Sequence, residues 1–393
     1  MRCYAEHVTN SAAKRIAELK SINRLQCRSL TVRHLHNVMM LPKEGYAGLY
    51  EDGKAIDYSY FACAAPMKDR FSSEALGAGI PEIKEPVFFL GKFNVCWGHC
   101  ITDHLKFLWP FLDSQRHPEL QRCKLVYTML SKADKLPGNY LQILKALGID
   151  ASRLQRVDRA TILRDCYLAD ECFSTIKHES EDEHYYTQDY DKIVERICKS
   201  FSREGAFPKK VYLTRKGWNA RREYGEQFLE EAFKSSGYEI VHPEQLKFET
   251  FVSMMNHAEV VAATECSCSH NALFMRKGAK LVLLRKYDRV NSYQMTINQV
   301  RDLDVHYVDV GRPVMFVDNE NRSAGPFFMY VTKQLADFLG AKSRFPISEF
   351  VRYMSVVVTL KCYHIGYSIC YHMYKRVVVG WLKIDRWERG KVG

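Results

Sequence analysis

At 393 residues, 47% of them apolar, the chain is excluded from the disordered class and is longer than one ordinary core accommodates, so two domains are expected. Its 57 basic and 46 acidic residues leave a net charge of +11, which favours anionic partners. No dense basic motif of a nucleic-acid reader is present, and no run reaches the roughly 18 apolar residues of a membrane-spanning helix.

The opening, "MRCYAEHVTNSAAKRIAELK", lacks the apolar core of a secretory signal. Thirteen cysteines in no small-scaffold pattern read as reduced thiols in a cytoplasm. The first part is strand-rich. "AGLYEDGKAIDYSYF" predicts a hairpin turning at Asp52-Gly53, and "PVFFLG" a short buried strand. "HCITDHLKFLWPFL" carries Ile101, Leu105, Leu108 and Leu112 at helical spacing. "KLVYT" and "DCYLAD" read as strands around the helix "YLQILKALG", which Gly148 caps. A helix is predicted from Tyr186 to about Phe201, and "REGAFPKK" suits a connection between domains.

Beyond it strands and helices alternate: "KVYLTR", "EQFLEEAFKSSG", "YEIVHP", "FETFVSMMNHA", "EVVAAT", "SHNALFMRKG", "KLVLL". That alternation predicts a parallel sheet covered on both faces, and the fold class is α/β with two such domains and a cleft between them. Ligands in these sheets bind beyond the carboxyl ends of the strands, where "TR" and "TECSCS" lie.

The junction Thr264, Glu265, Cys266, Ser267, Cys268, Ser269, His270, Asn271 admits two readings. Cys266, Cys268 and His270 are soft ligand types, but their alternate spacing is unlike that of zinc sites. A helix N-terminus with small hydroxyl residues would instead face a phosphate, with Arg215 aiming its guanidinium at a diphosphate from the neighbouring strand end. The blander readings are structural thiols, helix caps and a surface ion pair.

"WGHCITDHL", together with the stretch from "VYLTRKGWNARREYGEQFLEEAF" to "TECSCSHNALF", resembles the glycosyltransferase family 61 domain over roughly residues 91–310. Arg215 matches the family's first arginine, Arg222 its second, and Glu226 the acidic helix start, while Gly225 replaces the expected Asn. Phe248 and Asn271 also match. The family's His-Gly-Ala-Gly turn falls on Glu265, Cys266, Ser267 and Cys268, where Glu265 could accept from ribose or sugar hydroxyls.

The resemblance implies a GT-B fold of two Rossmann-like domains. Residues 1–205 would form the acceptor side and 206–325 the nucleotide-sugar side, with 326–393 a helical tail packing back on the first domain. It implies inverting transfer from a nucleotide sugar, usually a uridine diphosphate sugar, to a glycan or lipid-linked acceptor, without a metal or other cofactor. Donor contacts would come from Arg215, Arg222 and residues 264–271. His99 and Asp103 match the upstream His-x-x-x-Asp element. Four residues apart on a helix they share a face, and either could be the base, with His99 preferred and Asp103 supporting it. Trp97 and Trp109 could stack on sugar rings, or simply pack.

Two further classes are a pyruvyl-transferase-like enzyme and a scaffold without catalysis. From Ser348 onward the chain mixes apolar residues, Val356 to Tyr371 among them, with basic ones, so the tail could also rest on the anionic inner face of a membrane.

Overall fold

The computed structural model describes residues 1–22, 24–27, 29–42, 48–56, 70, 79–130, 135–175, 184–216, 223–287, 290–311 and 325–374. It is mixed α/β, built around two large sheets.

The first sheet runs Lys54–Ala55, Leu49–Glu51, Val32–Met40, Thr161–Ala169, Val87–Phe93, Lys124–Met129, Leu154–Arg156. Its last four strands are parallel, and Val32–Met40 is antiparallel to Thr161–Ala169. The expected hairpin is present: Leu49–Glu51 pairs antiparallel with Lys54–Ala55 through Asp52 and Gly53, both at positive φ (47° and 75°). Val87–Phe93 is buried at every position, as a strand covered on both faces must be.

The second sheet is wholly parallel, in the order Arg2–His7, Asp304–Asp309, Lys280–Arg285, Val260–Thr264, Lys210–Leu213, Glu239–Val241. Every strand read from "KVYLTR" to "KLVLL" is in it. The edge strand comes from the opposite end of the chain, which local pattern did not foretell. Register aligns the strand ends: Leu213 faces Ala263, Thr264 faces Leu284, and Arg285 faces Asp309. Thr214-Arg215, Glu265 and Lys286 therefore leave one edge of the sheet together.

One hydrophobic cluster includes Phe88 and Leu125 of the first sheet and Val211, Val261 and Leu281 of the second. Between them lies the helix Gln188–Phe201, whose inward residues Ile193, Val194 and Ile197 are fully buried. Buried Arg301 ties this helix to the second sheet through Asp191 (2.9 Å) and Glu195 (2.7 Å). Each described cysteine is an unpaired thiol.

Two helices differ from expectation. The α-helix in "WGHCITDHLKFLWPFL" spans only Trp97–Ile101, followed by turns and a 3₁₀ segment, Trp109–Leu112. Pro110 has no N–H to give the carbonyl of Lys106, which accepts from Cys172 N instead (3.1 Å). The Thr102 hydroxyl turns back onto Gly98 O (2.8 Å), and Ile101 O accepts from the Tyr190 hydroxyl (2.7 Å). "SHNALFMRKG" likewise forms a six-residue 3₁₀ segment, Ser269–Phe274, instead of an α-helix.

The tail helix Ile347–Tyr374 packs its first turns on Tyr224, Phe328 and Tyr330, through Tyr353 and Val357. These contacts flank the second sheet. Among the described residues, no helix is long and apolar enough to cross a membrane.

Candidate active site

The strand Val87–Phe93 delivers the chain to the helix Trp97–Ile101, on which His99 sits. Although regular helix ends at Ile101, the four-residue offset still brings the pair together: His99 Nδ1 lies 2.6 Å from Asp103 Oδ2. The Asp103 side chain is 2% exposed and that of His99 is 23% exposed. Burial pushes the Asp103 carboxyl up, but the His99 hydrogen bond and the Lys106 and His99 charges outweigh it, and the net shift is downward. A buried anion thus holds an imidazole that reaches outward. His104 is no part of this pair. Its ring stacks on Phe93 (3.8 Å), Nε2 accepts from Asn94 N (2.9 Å), and burial lowers its pKa to about 3.

The second sheet completes the pair from the opposite side. The Tyr293 hydroxyl donates to Asp103 Oδ1 (3.3 Å), and its ring stands edge-on to His99. Tyr293 opens the helix Ser292–Val300, capped by Asn291, whose side-chain oxygen accepts from Tyr293 N (3.0 Å) and Gln294 N (3.4 Å). Asn291 N donates to Glu265 Oε1 (2.9 Å), and Asn291 Nδ2 lies 3.3 Å from His270 Nε2. Sequence reading passed over Asn291 and Tyr293. The signal was available, since "NSYQ" follows the strand "KLVLLR" at the edge already marked by "TECS".

The turn after Val260–Thr264 is tighter than a helix N-terminus. Cys266 N donates to Ser269 Oγ (3.1 Å) and Cys268 N to Cys266 Sγ (3.4 Å), so side chains within the turn take up amides that a phosphate would have used. Glu265 is fully buried and its carboxyl is pushed up by that burial; Oε2 has no hydrogen-bond partner and lies 4.0 Å from Arg285 Nε. Thr264 is fully buried, and Ser269 Oγ is 2.6 Å from Gln294 Oε1. Cys266, Cys268 and His270 do not bring ligand atoms to a common point: Cys266 Sγ bonds Thr264 O (3.3 Å) while His270 faces Asn291.

The helix of His99 sits directly on this turn. Cys96 Sγ is 3.3 Å from Ser267 Oγ, and Trp97 Nε1 donates to Asn271 Oδ1 (2.7 Å). A Cβ on Gly98 would stand 2.8 Å from His270 Nδ1 and 2.9 Å from Ser267 Oγ, so glycine permits the approach. Burial and the nearby His99 lower the pKa of His270 to about 4. Trp97 packs edge-on against buried Phe248, and Trp109 donates to Asp170 O (2.8 Å), so both are packing residues.

Arg215 flanks the other side of the turn. Burial lowers its pKa, but Cys266, Glu223 and Cys268 outweigh this and raise it, keeping the guanidinium charged. Its Nη1 is 3.1 Å from Glu223 Oε1, and buried Lys286 reaches the same oxygen. Two cations thus converge on one carboxylate beside the turn, with buried Glu226 next to them. Sequence reading missed Lys286 and Glu223, because their pairing spans 63 residues. Gly225 has a physical explanation: at φ 90° it caps the helix Glu226–Ser235, and a Cβ there would lie 1.9 Å from Met329 O. Glu226 accepts from the Tyr212 hydroxyl (2.5 Å), and burial raises its pKa. Arg222 lies outside the described residues.

Residues 97–282 match the family model described as Glycosyltransferase 61. The match opens on the first residue of the His99 helix and runs into the strand Lys280–Arg285. No curated protein matches the chain.

Proposed function

We propose that this chain, whose glycosyltransferase 61 domain makes it a glycosyltransferase, transfers a sugar with inversion from a nucleotide diphosphate donor, a uridine diphosphate sugar in our reading, to a glycan hydroxyl. The observation that carries this is the His99–Asp103 pair, its carboxylate buried and its imidazole partly exposed, across one turn from Arg215 and Lys286.

In this reading His99 takes the proton of the acceptor hydroxyl as its oxygen bonds to the anomeric carbon. Asp103 fixes the ring and stabilises the imidazolium. The bond from the anomeric carbon to the diphosphate breaks on the opposite face. Its electron pair leaves with the diphosphate, whose charge Arg215 and Lys286 meet. No metal or other cofactor is assigned a step. The two sheets, with the helix Gln188–Phe201 between them and the His99 helix resting on the turn of the second, support a GT-B arrangement, with the acceptor on the first sheet's side. His99→Ala and Asp103→Asn should each lower transfer by about 10²–10⁴-fold while nucleotide binding persists. Unchanged turnover in both would remove the pair from the chemistry.

The acceptor is proposed to be lipid-linked, met at an anionic membrane face. On the tail helix Tyr363 (68%), Ile365 (53%), Tyr367 (62%) and Ile369 (55%) are exposed. Lys361 is the one lysine or arginine between Val358 and Met373, and most of the other side chains there are apolar or aromatic, an exposed surface that a bilayer interface would cover. Sedimentation with vesicles of phosphatidylglycerol and phosphatidylcholine tests this. Binding that weakens with salt and is lost in Ile365→Asp/Ile369→Asp supports it, whereas no binding at low salt overturns it.

A further inference from the structure

Far along the first sheet lies a cluster that the transfer reaction does not use. Strict alternation on the strand Val32–Met40 would bury His34 and His36 with Val38 and Met40. It does not, because Asn37 adopts a left-handed conformation (φ 56°) that turns the preceding residues over. Arg164 holds Asn37 there, donating from Nη1 to its side-chain oxygen (2.7 Å) while also engaging Glu82. Val38 and Met40 consequently face the core at 0% exposure, while His34 and His36 are exposed.

Asp165 on the strand Thr161–Ala169 pairs in register with His36, and Tyr167 with His34. The ring of His34 stacks on Tyr167 (4.3 Å, 7°), which sets its orientation, and its centroid is 4.3 Å from that of His36. One ligand atom from each of His34, His36 and Asp165 falls within 4.8 Å of the others. An ion pair between His34 and Asp165 explains two of these residues. It gives no reason for the second imidazole to be turned outward beside them.

We propose that His34, His36 and Asp165 bind one first-row divalent cation, with zinc the best fit. Two imidazole nitrogens and a carboxylate oxygen are the ligand types of such ions, and three protein ligands leave room for water. The cation would clip two antiparallel strands, neither of which carries a candidate active-site residue, so the role is in holding the sheet and not in transfer.

The test is calorimetric titration of the full chain with zinc chloride, run beside the double variant His34→Ala/His36→Ala. Exposed thiols such as Cys27, Cys96, Cys362 and Cys370 also take zinc, so the quantity read is the difference between the two proteins. One equivalent lost in the double variant is expected, with Asp165→Asn keeping the stoichiometry at lower affinity. Cobalt absorption adds a second readout: the equivalent lost should show ligand-field bands without a sulfur-to-cobalt band in the near ultraviolet. His36→Asn, a single exposed change, guards against misfolding of the double variant and should lose the same equivalent. Equal stoichiometry and affinity in all four proteins, or a lost equivalent carrying the sulfur band, would overturn the assignment.

Discussion

Gly98→Ala tests the contact on which the active-site reading depends. The added methyl would stand 2.8 Å from His270 Nδ1 and 2.9 Å from Ser267 Oγ, against about 3.5 Å for ordinary contact, so both neighbours must retreat, His270 by about 0.7 Å. The Ser267 hydroxyl can rotate away. The His270 ring cannot easily do so, being 6% exposed with Nε2 against Asn291. Overpacking of this kind costs about 1–3 kcal/mol. Alanine in place of glycine returns at most about 1 kcal/mol of helix propensity, less in a helix of five residues. The net expectation is a loss of about 1–2 kcal/mol in urea unfolding. Displacing the His99 helix by half an ångström should lower kcat about tenfold, since a 1 Å misplacement costs about a hundredfold. Nucleotide binding at the Arg215 side should change little. A variant as stable as the parent with the same kcat would mean that the helix and the turn are not in contact, and the composite site would fall.

Tyr293→Phe removes the donor to Asp103 Oδ1 and should cut kcat roughly 3–10-fold with little change in donor KM, shifting the acid limb of the pH–rate profile; a KM effect alone would make Tyr293 a donor contact instead. Arg215→Ala should weaken nucleoside diphosphate binding about 10–100-fold, with Arg215→Lys recovering only part of it, whereas an unmoved dissociation constant in calorimetry would place the diphosphate elsewhere. For stability against pH, the folded pKa of His270 is depressed to about 4, so the unfolded chain binds the proton first as pH drops below about 6.5. Stability should therefore fall between about pH 6.5 and 4, and His270→Gln should flatten that slope by at most about 1.4 kcal/mol per pH unit. Identical slopes in urea titrations of the two proteins would show that His270 is not buried neutral.

What the sequence determined by itself was local and periodic. Apolar runs such as "VVAAT" and "KLVLL" have to be covered on both faces, and that requirement yields the parallel strands and the edge where their ends gather. A four-residue offset was enough to join His99 to Asp103, even though regular helix ends at Ile101. Tertiary structure alone decided the rest, because it depends on pairings between distant residues. The strand Arg2–His7 crosses to the second sheet, Lys286 reaches Glu223, and Tyr293 meets Asp103 across 190 positions. It also decided the turn at Cys266, where side chains compete for amides that helical periodicity had assigned to a ligand. Periodicity reports which face of an element is buried; which other element does the burying is set only when the chain closes on itself.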